Sequence, residues 1–162
     1  MLIRKATGEE MLKLWGCPDV AAASPTARFF YRNLSSGNAV FWTLEHDGAL
    51  IGELYVFLDL EDKDFADGEN TAYLCAFRVR EAYRGQGLGS RLMGAALAEL
   101  KAIGFRRATI GVGSDKPQNI RLYRRLGFCE KVKDCHYDPC GMDEDGRPEY
   151  EEEAWWLLAK RL

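Results

Sequence analysis

Histidine is scarce in this sequence: His46 and His136 are the only two in 162 residues. That shortage argues against a zinc centre and against histidine-assisted nucleophilic chemistry. Cys135, His136 and Cys140 offer three ligands where a structural site wants four in recognisable pairs, and the spacing gives Cys75 or Cys129 no histidine partner. No metal is expected. The five cysteines, Cys17, Cys75, Cys129, Cys135 and Cys140, follow no disulfide spacing and cannot all pair within one chain. Reduced thiols and a cytoplasmic setting are expected. A continuous apolar run of signal-peptide or membrane-span length is also missing, and Met1-Leu2-Ile3-Arg4-Lys5 is charged within four residues. A basic run is missing too, and the formal net charge is −3, so neither nucleic acid nor membrane is an expected partner.

What is present is apolar and patterned. Hydrophobic residues make up 47% of the chain, enough for one sizeable core and hardly two, so residues 1–162 read as a single domain. Leu2 to Ala6 reads as a strand and Gly8 to Trp15 as a short helix. Ser24-Pro25 opens a second helix that Ser35-Ser36-Gly37 ends. Val40–Leu44 and Leu50–Leu58 are β-rich runs joined by His46-Asp47-Gly48, a hairpin signal. After an acidic loop, Glu61 to Asn70, comes a strand from Thr71 to Val79. Leu88, Leu92, Ala95, Ala96, Leu100 and Ile103 recur at helical spacing before Gly104, and Arg107 to Val112 is again β-branched. Thr71 to Val112 is therefore a β-α-β unit with parallel strands and an expected right-handed crossover. A short helix, Pro117 to Leu126, two closing strands, Phe128–Cys135 and Trp155–Arg161, and a second acidic loop around Asp143 to Gly146 complete an α/β chain with a mixed sheet.

Between the strand and helix of that unit lies Arg84-Gly85-Gln86-Gly87-Leu88-Gly89. Glycines at every second position let backbone N–H groups approach a ligand closely, and the helix amino terminus adds its positive dipole end. A diphosphate is the natural occupant, with Arg84 and Arg91 supplying charge. A dinucleotide fingerprint fits poorly, because Ser90 stands at its third glycine, and the nucleoside-triphosphate loop does not occur.

These residues resemble the GNAT acetyltransferases, whose signature is Arg or Gln, two residues, Gly, one residue, then Gly or Ala. Phe77-Arg78-Val79 and Ala82-Tyr83-Arg84 resemble the family's approach to that loop, and Asn119, Leu122-Tyr123 and Leu126-Gly127-Phe128 its second motif. The resemblance implies a mixed, mostly antiparallel sheet around a central acyl-CoA-binding β-α-β unit with flanking helices. It also implies acetyl-CoA as cosubstrate. Backbone groups of Phe77, Arg78 and Val79 would pair with the pantetheine arm, and amides from Arg84 through Gly85, Gln86, Gly87, Leu88 and Gly89 to Ser90 would hold the pyrophosphate. Asn119 would contact pantetheine, and Tyr123, four residues on and on the same helix face, would stand near the thioester sulfur.

A phenol can protonate a departing thiolate, since the two ordinary pKa values are about 10 and about 8.5. Tyr123 is the candidate acid, and a backbone N–H such as that of Val79 can serve the oxyanion. Some family members carry a glutamate on the strand before the loop, whereas Thr71 to Val79 has no carboxylate. Glu53, Asp59, Glu61 and Glu69 are the available acids, and none is singled out as base. The expected acceptor is a primary amine of a small molecule; the resemblance implies that the acidic segments Asp59–Glu69 and Asp143–Glu153 flank the acceptor cleft, where they could attract a cationic amine such as a polyamine, an aminoglycoside or a lysine side chain. A protein or peptide amine, or a non-catalytic acyl-CoA sensor, are the alternatives. Trp15, Phe29, Tyr31, Trp42, Tyr55, Tyr137 and Tyr150 are candidate pocket aromatics, and the sequence leaves room for a homodimer.

Overall fold

The computed structural model describes all 162 residues. Strands β1 (Leu2–Ala6), β2 (Ala39–His46), β3 (Ala49–Phe57), β4 (Thr71–Val79), β5 (Arg107–Gly113), β6 (Glu130–Met142) and β7 (Pro148–Arg161) form one sheet in the order β1-β2-β3-β4-β5-β7-β6. Only β4 and β5 run parallel; every other pairing is antiparallel. The architecture is the mixed α/β fold that the sequence pattern predicts, and it is mostly antiparallel, as the resemblance implies.

Four helices cover the two faces. On one, α1 (Gly8–Leu14) and α2 (Pro25–Ser36) pack Met11, Leu12, Ala27 and Phe30 against Phe41, Tyr55, Phe57 and Tyr73. On the other, α3 (Leu88–Ala102) places Leu88, Leu92, Met93, Ala96 and Leu100 against Leu54, Val56, Leu74 and Ile110, and α4 (Pro117–Arg125) adds Ile120 and Tyr123. Each fully buried aliphatic side chain contributes about 1.5–3 kcal/mol, so both faces are held mainly by apolar burial. Helix starts follow local chemistry: Thr7 and Glu10 form a reciprocal capping box, and the Ser24 hydroxyl accepts from the Ala27 N–H.

Two expectations change at the carboxyl end. β6 and β7 are far longer than Phe128–Cys135 and Trp155–Arg161, and they meet in a hairpin where a loop was expected. Asp143 closes the turn, its carboxylate accepting from the Asp145 and Arg147 N–H groups, while Gly146 takes φ +75°. Glu149 to Glu153 are strand residues exposed throughout. They carry no apolar alternation for a sequence pattern to detect, and pairing with β6 makes the strand. The Glu61–Asn70 segment is irregular, as expected, yet its Phe65 and Ala66 are buried and plug the α1/α2 face.

The most unusual backbone lies within β4. Ala76 has φ +49°, and the β3–β4 register steps from Glu53↔Arg78 to Tyr55↔Cys75, so two residues of β4 face one of β3. This bulge resets the alternation of side chains. Cys75 and Ala76 both face α1/α2, after which Phe77 and Val79 turn to the α3 face. A left-handed alanine costs about 1–2 kcal/mol. Glycine there removes that strain while adding entropy to the unfolded chain, so Ala76→Gly is expected to shift unfolding free energy by less than about 1 kcal/mol. Ala76→Val is expected to lower it by at least about 2 kcal/mol, as read from urea midpoints.

Candidate active site

The parallel pairing of β4 with β5 runs only from Thr71↔Arg107 to Leu74↔Ile110. Beyond it β4 continues with β3 as far as Val79, and β5 continues with β7 as far as Gly113. The sheet therefore splits, and the split opens one edge of β4. Arg80 N–H donates to the Ile51 carbonyl. In an antiparallel ladder alternate residues face the partner strand, so the main-chain groups of Phe77 and Val79 face the split.

At the outer end of the split stands the glycine loop. A 3₁₀ turn, Glu81–Tyr83, leads into it, and Arg84 Nε donates to the Val79 carbonyl at 2.7 Å. Gly85 and Gly87 have φ +79° and +76°, which a side chain would strain, and Gly87 caps α3 without any side chain to do so. Gly89 serves differently: a Cβ there would lie 3.0 Å from Phe77 Cζ, so its absence lets α3 sit close to β4. The N–H groups of Gly85, Gln86 and Gly87 find no acceptor in the chain, and those of Leu88, Gly89 and Ser90 lie in the first turn, where no helical acceptor exists. Six consecutive donors at the positive end of a 15-residue helix can hold a polyanion.

A cavity of about 850 Å³ runs through the split. Phe77, Val79, Arg80, Arg84 and Tyr123 surround its loop end, and Trp15, Phe30, Glu53, Arg78, Asp138 and Cys140 its other end. Tyr123 reaches it from α4, packed edge-on against Phe128 at 6.3 Å between centroids, and burial raises the pKa of its phenol. Asn119, one turn earlier, is exposed on the surface of α4 and does not border the cavity.

The sequence did not single out Glu53, and position on β3 is what matters about it. Its side chain is 12% exposed, and its Oε1 accepts from Trp15 Nε1 at 2.9 Å and from Arg78 Nη2 at 3.0 Å. The Arg78 guanidinium lies 5.7 Å from the centre of the Trp15 ring. Beneath them Tyr55 has its hydroxyl sealed without a partner, and burial and the Glu53 charge both raise its pKa. Tyr73 also borders the cavity; burial holds its phenol pKa far above the ordinary value, and Cys75, Cys140 and Asp138 push the same way. Alternation along β3 with Tyr55 and Phe57 could have put Glu53 on the α1/α2 face, whereas the arrival of Arg78 beside it depends on the bulge in β4.

Other candidates fall elsewhere. Of the aromatics named from sequence, Trp15 borders the cavity, while Tyr137 and Tyr150 are exposed on the β6–β7 hairpin. The acids of the 59–69 segment are largely engaged in structure: Asp59 pairs with Lys63, Asp62 and Asp64 with Lys133, and Asp67 accepts from three successive N–H groups. The carboxylates that border the cavity are Glu53 and Asp138. No helix is long and apolar enough to cross a membrane.

A split β4–β5 pair with a donor loop at its mouth is the frame of an acyl-CoA-dependent N-acyltransferase. Residues 8–128 match the family model described as the Acetyltransferase (GNAT) family. The chain belongs to the GNAT acetyltransferases. Among solved structures it is similar to a ribosomal-protein-alanine N-acetyltransferase from Brucella melitensis, at 17% identity and TM-score 0.69 with all of both chains covered. It is similar also to a GNAT family acetyltransferase from Elizabethkingia anophelis with acetyl-CoA bound, at 19% and 0.64, covering 99% of this chain and 97% of that one. A Vibrio cholerae spermidine N-acetyltransferase chimera matches at 13% and 0.66, covering 99% and 96%. These likenesses are of fold, and no curated protein matches the chain.

Gly111 fixes the β5 wall of the cavity. A Cβ there would lie 2.5 Å from Trp155 Cζ3 and 3.3 Å from the Tyr73 hydroxyl. Gly111→Ala is expected to cost about 1–3 kcal/mol by overpacking, measured as a lower urea midpoint.

Proposed function

We propose that residues 1–162 act as one cytoplasmic acetyltransferase domain that passes the acetyl group of acetyl-CoA directly to a primary amine of a small molecule. The reading rests above all on one arrangement: outward-facing main-chain groups at Phe77 and Val79 lead straight to the unpaired donors at 85–90. An extended pantetheine arm can add to the open β4 edge as a strand would, and the Arg84–Ser90 amides can take the pyrophosphate, with Arg80 and Arg84 for charge. Asn119 stands one turn outward from Tyr123 and would meet the arm only at its rim. The five free thiols suit a reducing compartment.

Within the split the amine nitrogen attacks the thioester carbonyl, the C–N bond forms and the C–S bond breaks. The Val79 N–H is the donor for the developing oxyanion. Tyr123 gives its phenolic proton to the leaving thiolate, and its raised pKa keeps that proton in place through the neutral range. Glu53 is the carboxylate that receives the ammonium and takes its proton. Its Oε1 is occupied by two donors, whereas Oε2 accepts none within the chain and is not sealed from solvent.

Tyr123→Phe is expected to lower kcat by about 100-fold while CoA still raises the melting temperature. The alkaline limit of the wild-type activity is expected above the ordinary range of a phenol, because burial raises the Tyr123 pKa and moves loss of its proton to higher pH. Unchanged kcat in the variant would remove Tyr123 from the mechanism. The similarity to a ribosomal-protein-alanine N-acetyltransferase favours a second reading, a peptide amino terminus as acceptor. Acetylation of a peptide terminus but of no free small amine would establish it, and CoA binding with no thiol release on any amine would leave only an acyl-CoA sensor.

A further inference from the structure

From the charges at the inner end of the cavity we infer that the acceptor is an amino acid or a close analogue, carrying a carboxylate beside its amine, with Arg78 holding the carboxylate and Glu53 the ammonium. The inference rests on the acetyl-transfer reading and specifies its acceptor.

The backbone, not the ordinary strand alternation, decides which way Arg78 faces. In an uninterrupted β4 the alternation that puts Tyr73 on the α1/α2 face would put residues 75, 77 and 79 there also and turn Arg78 toward α3. The bulge at Ala76 reverses this and brings Arg78 into the cavity opposite Glu53. A backbone strained at this point is thus spent partly on delivering a cation to the acceptor end.

The guanidinium is only partly used by the protein. It gives one hydrogen bond, from Nη2 to Glu53, and lies beside the Trp15 ring, while its side chain remains 58% exposed. Nε and Nη1 have no acceptor in the chain, and Nη2 gives only one of its two N–H groups, so one planar edge of the guanidinium, the Nε/Nη2 or the Nη1/Nη2 pair, stays open for a carboxylate. Glu53 complements it with the free Oε2. A purely cationic acceptor would meet a carboxylate already neutralised by arginine, with that arginine beside it as an unfavourable charge. An acceptor bearing both charges matches both groups at once. Trp15 and Phe30, in contact at 5.0 Å between ring centroids, form an apolar wall for its side chain. Asp138, on the β6 side of the cavity, adds a negative charge there, so the carboxylate is best placed at Arg78.

Matched acceptors test this: methionine, methioninamide and 3-(methylthio)propylamine, and the same three forms built on phenylalanine, each with acetyl-CoA and thiol detection. The amino acids are expected to give kcat/KM at least 10-fold above their amides and decarboxylated amines. Arg78→Gln is expected to remove that preference, raising KM for the amino acids about 10- to 100-fold more than for the amines, and Arg78→Lys to restore part of it. Glu53→Gln, which keeps an acceptor for Trp15, is expected to impair all forms alike. Equal or faster turnover of the amide or the decarboxylated amine, or an Arg78→Gln loss of equal size on all forms, overturns the acceptor assignment alone. Thiol release with none of these amines, nor with spermidine or a peptide, while CoA still binds, overturns acetyl transfer itself and the assignment with it.

Discussion

The active site depends on β4 and β5 parting after four residue pairs. Up to Leu74 and Ile110 the two strands share a ladder, and the core beneath them is continuous. Beyond that point each keeps its outer partner and loses its inner one, so a row of main-chain donors and acceptors is left open inside a folded protein. Such groups are costly when buried without partners. Here they face the cavity instead, with the Val79 carbonyl taken by Arg84. Around the split, α3 starts at its mouth, α4 brings Tyr123 to one side of it, and α1, α2 and the β6–β7 hairpin enclose the other.

The two faces of the sheet divide the labour. On the α3 face the loop from Arg84 to Ser90 gathers backbone N–H groups at a helix amino terminus, so the anion site proposed there rests on main-chain geometry and little on side-chain identity. On the α1/α2 face the proposed acceptor site is built from side chains: Trp15 orients Glu53, Glu53 orients Arg78, and the aromatic pair Trp15 and Phe30 limits the space. Bulge and split together join these faces, because the same few residues of β4 present backbone to one partner and Arg78 to the other.

Much of the fold was legible because it is written locally. The Asp47-Gly48 turn, the Ser24 cap, the apolar spacing from Leu88 to Leu100 and the glycine loop each follow from residues within one turn or hairpin, and each appears where the sequence pattern puts it. The β6–β7 arms were not legible, since Glu149 to Glu153 become a strand through pairing with distant residues and not through their own pattern. Glu53 was visible only as one acid among several. Its role depends on the Trp15 indole, 38 residues earlier, and on Arg78, 25 residues later, coming to the same oxygen. A bulge at an alanine leaves no sequence mark at all, because alanine at that position looks like any strand residue.

The sheet order places β7 between β5 and β6, although β7 follows all the other strands in the chain. Every residue of the β1-to-β4 meander and of the glycine loop thus precedes in the chain the strand that covers the β5 edge. β5 gains its second neighbour, and Trp155 its place over Gly111, only through residues 155–161. Without that stretch β5 would keep its short ladder with β4 and offer its other edge to any passing strand. Residues 155–161 therefore close one wall of the pocket and protect the sheet from pairing with a foreign chain in a single step.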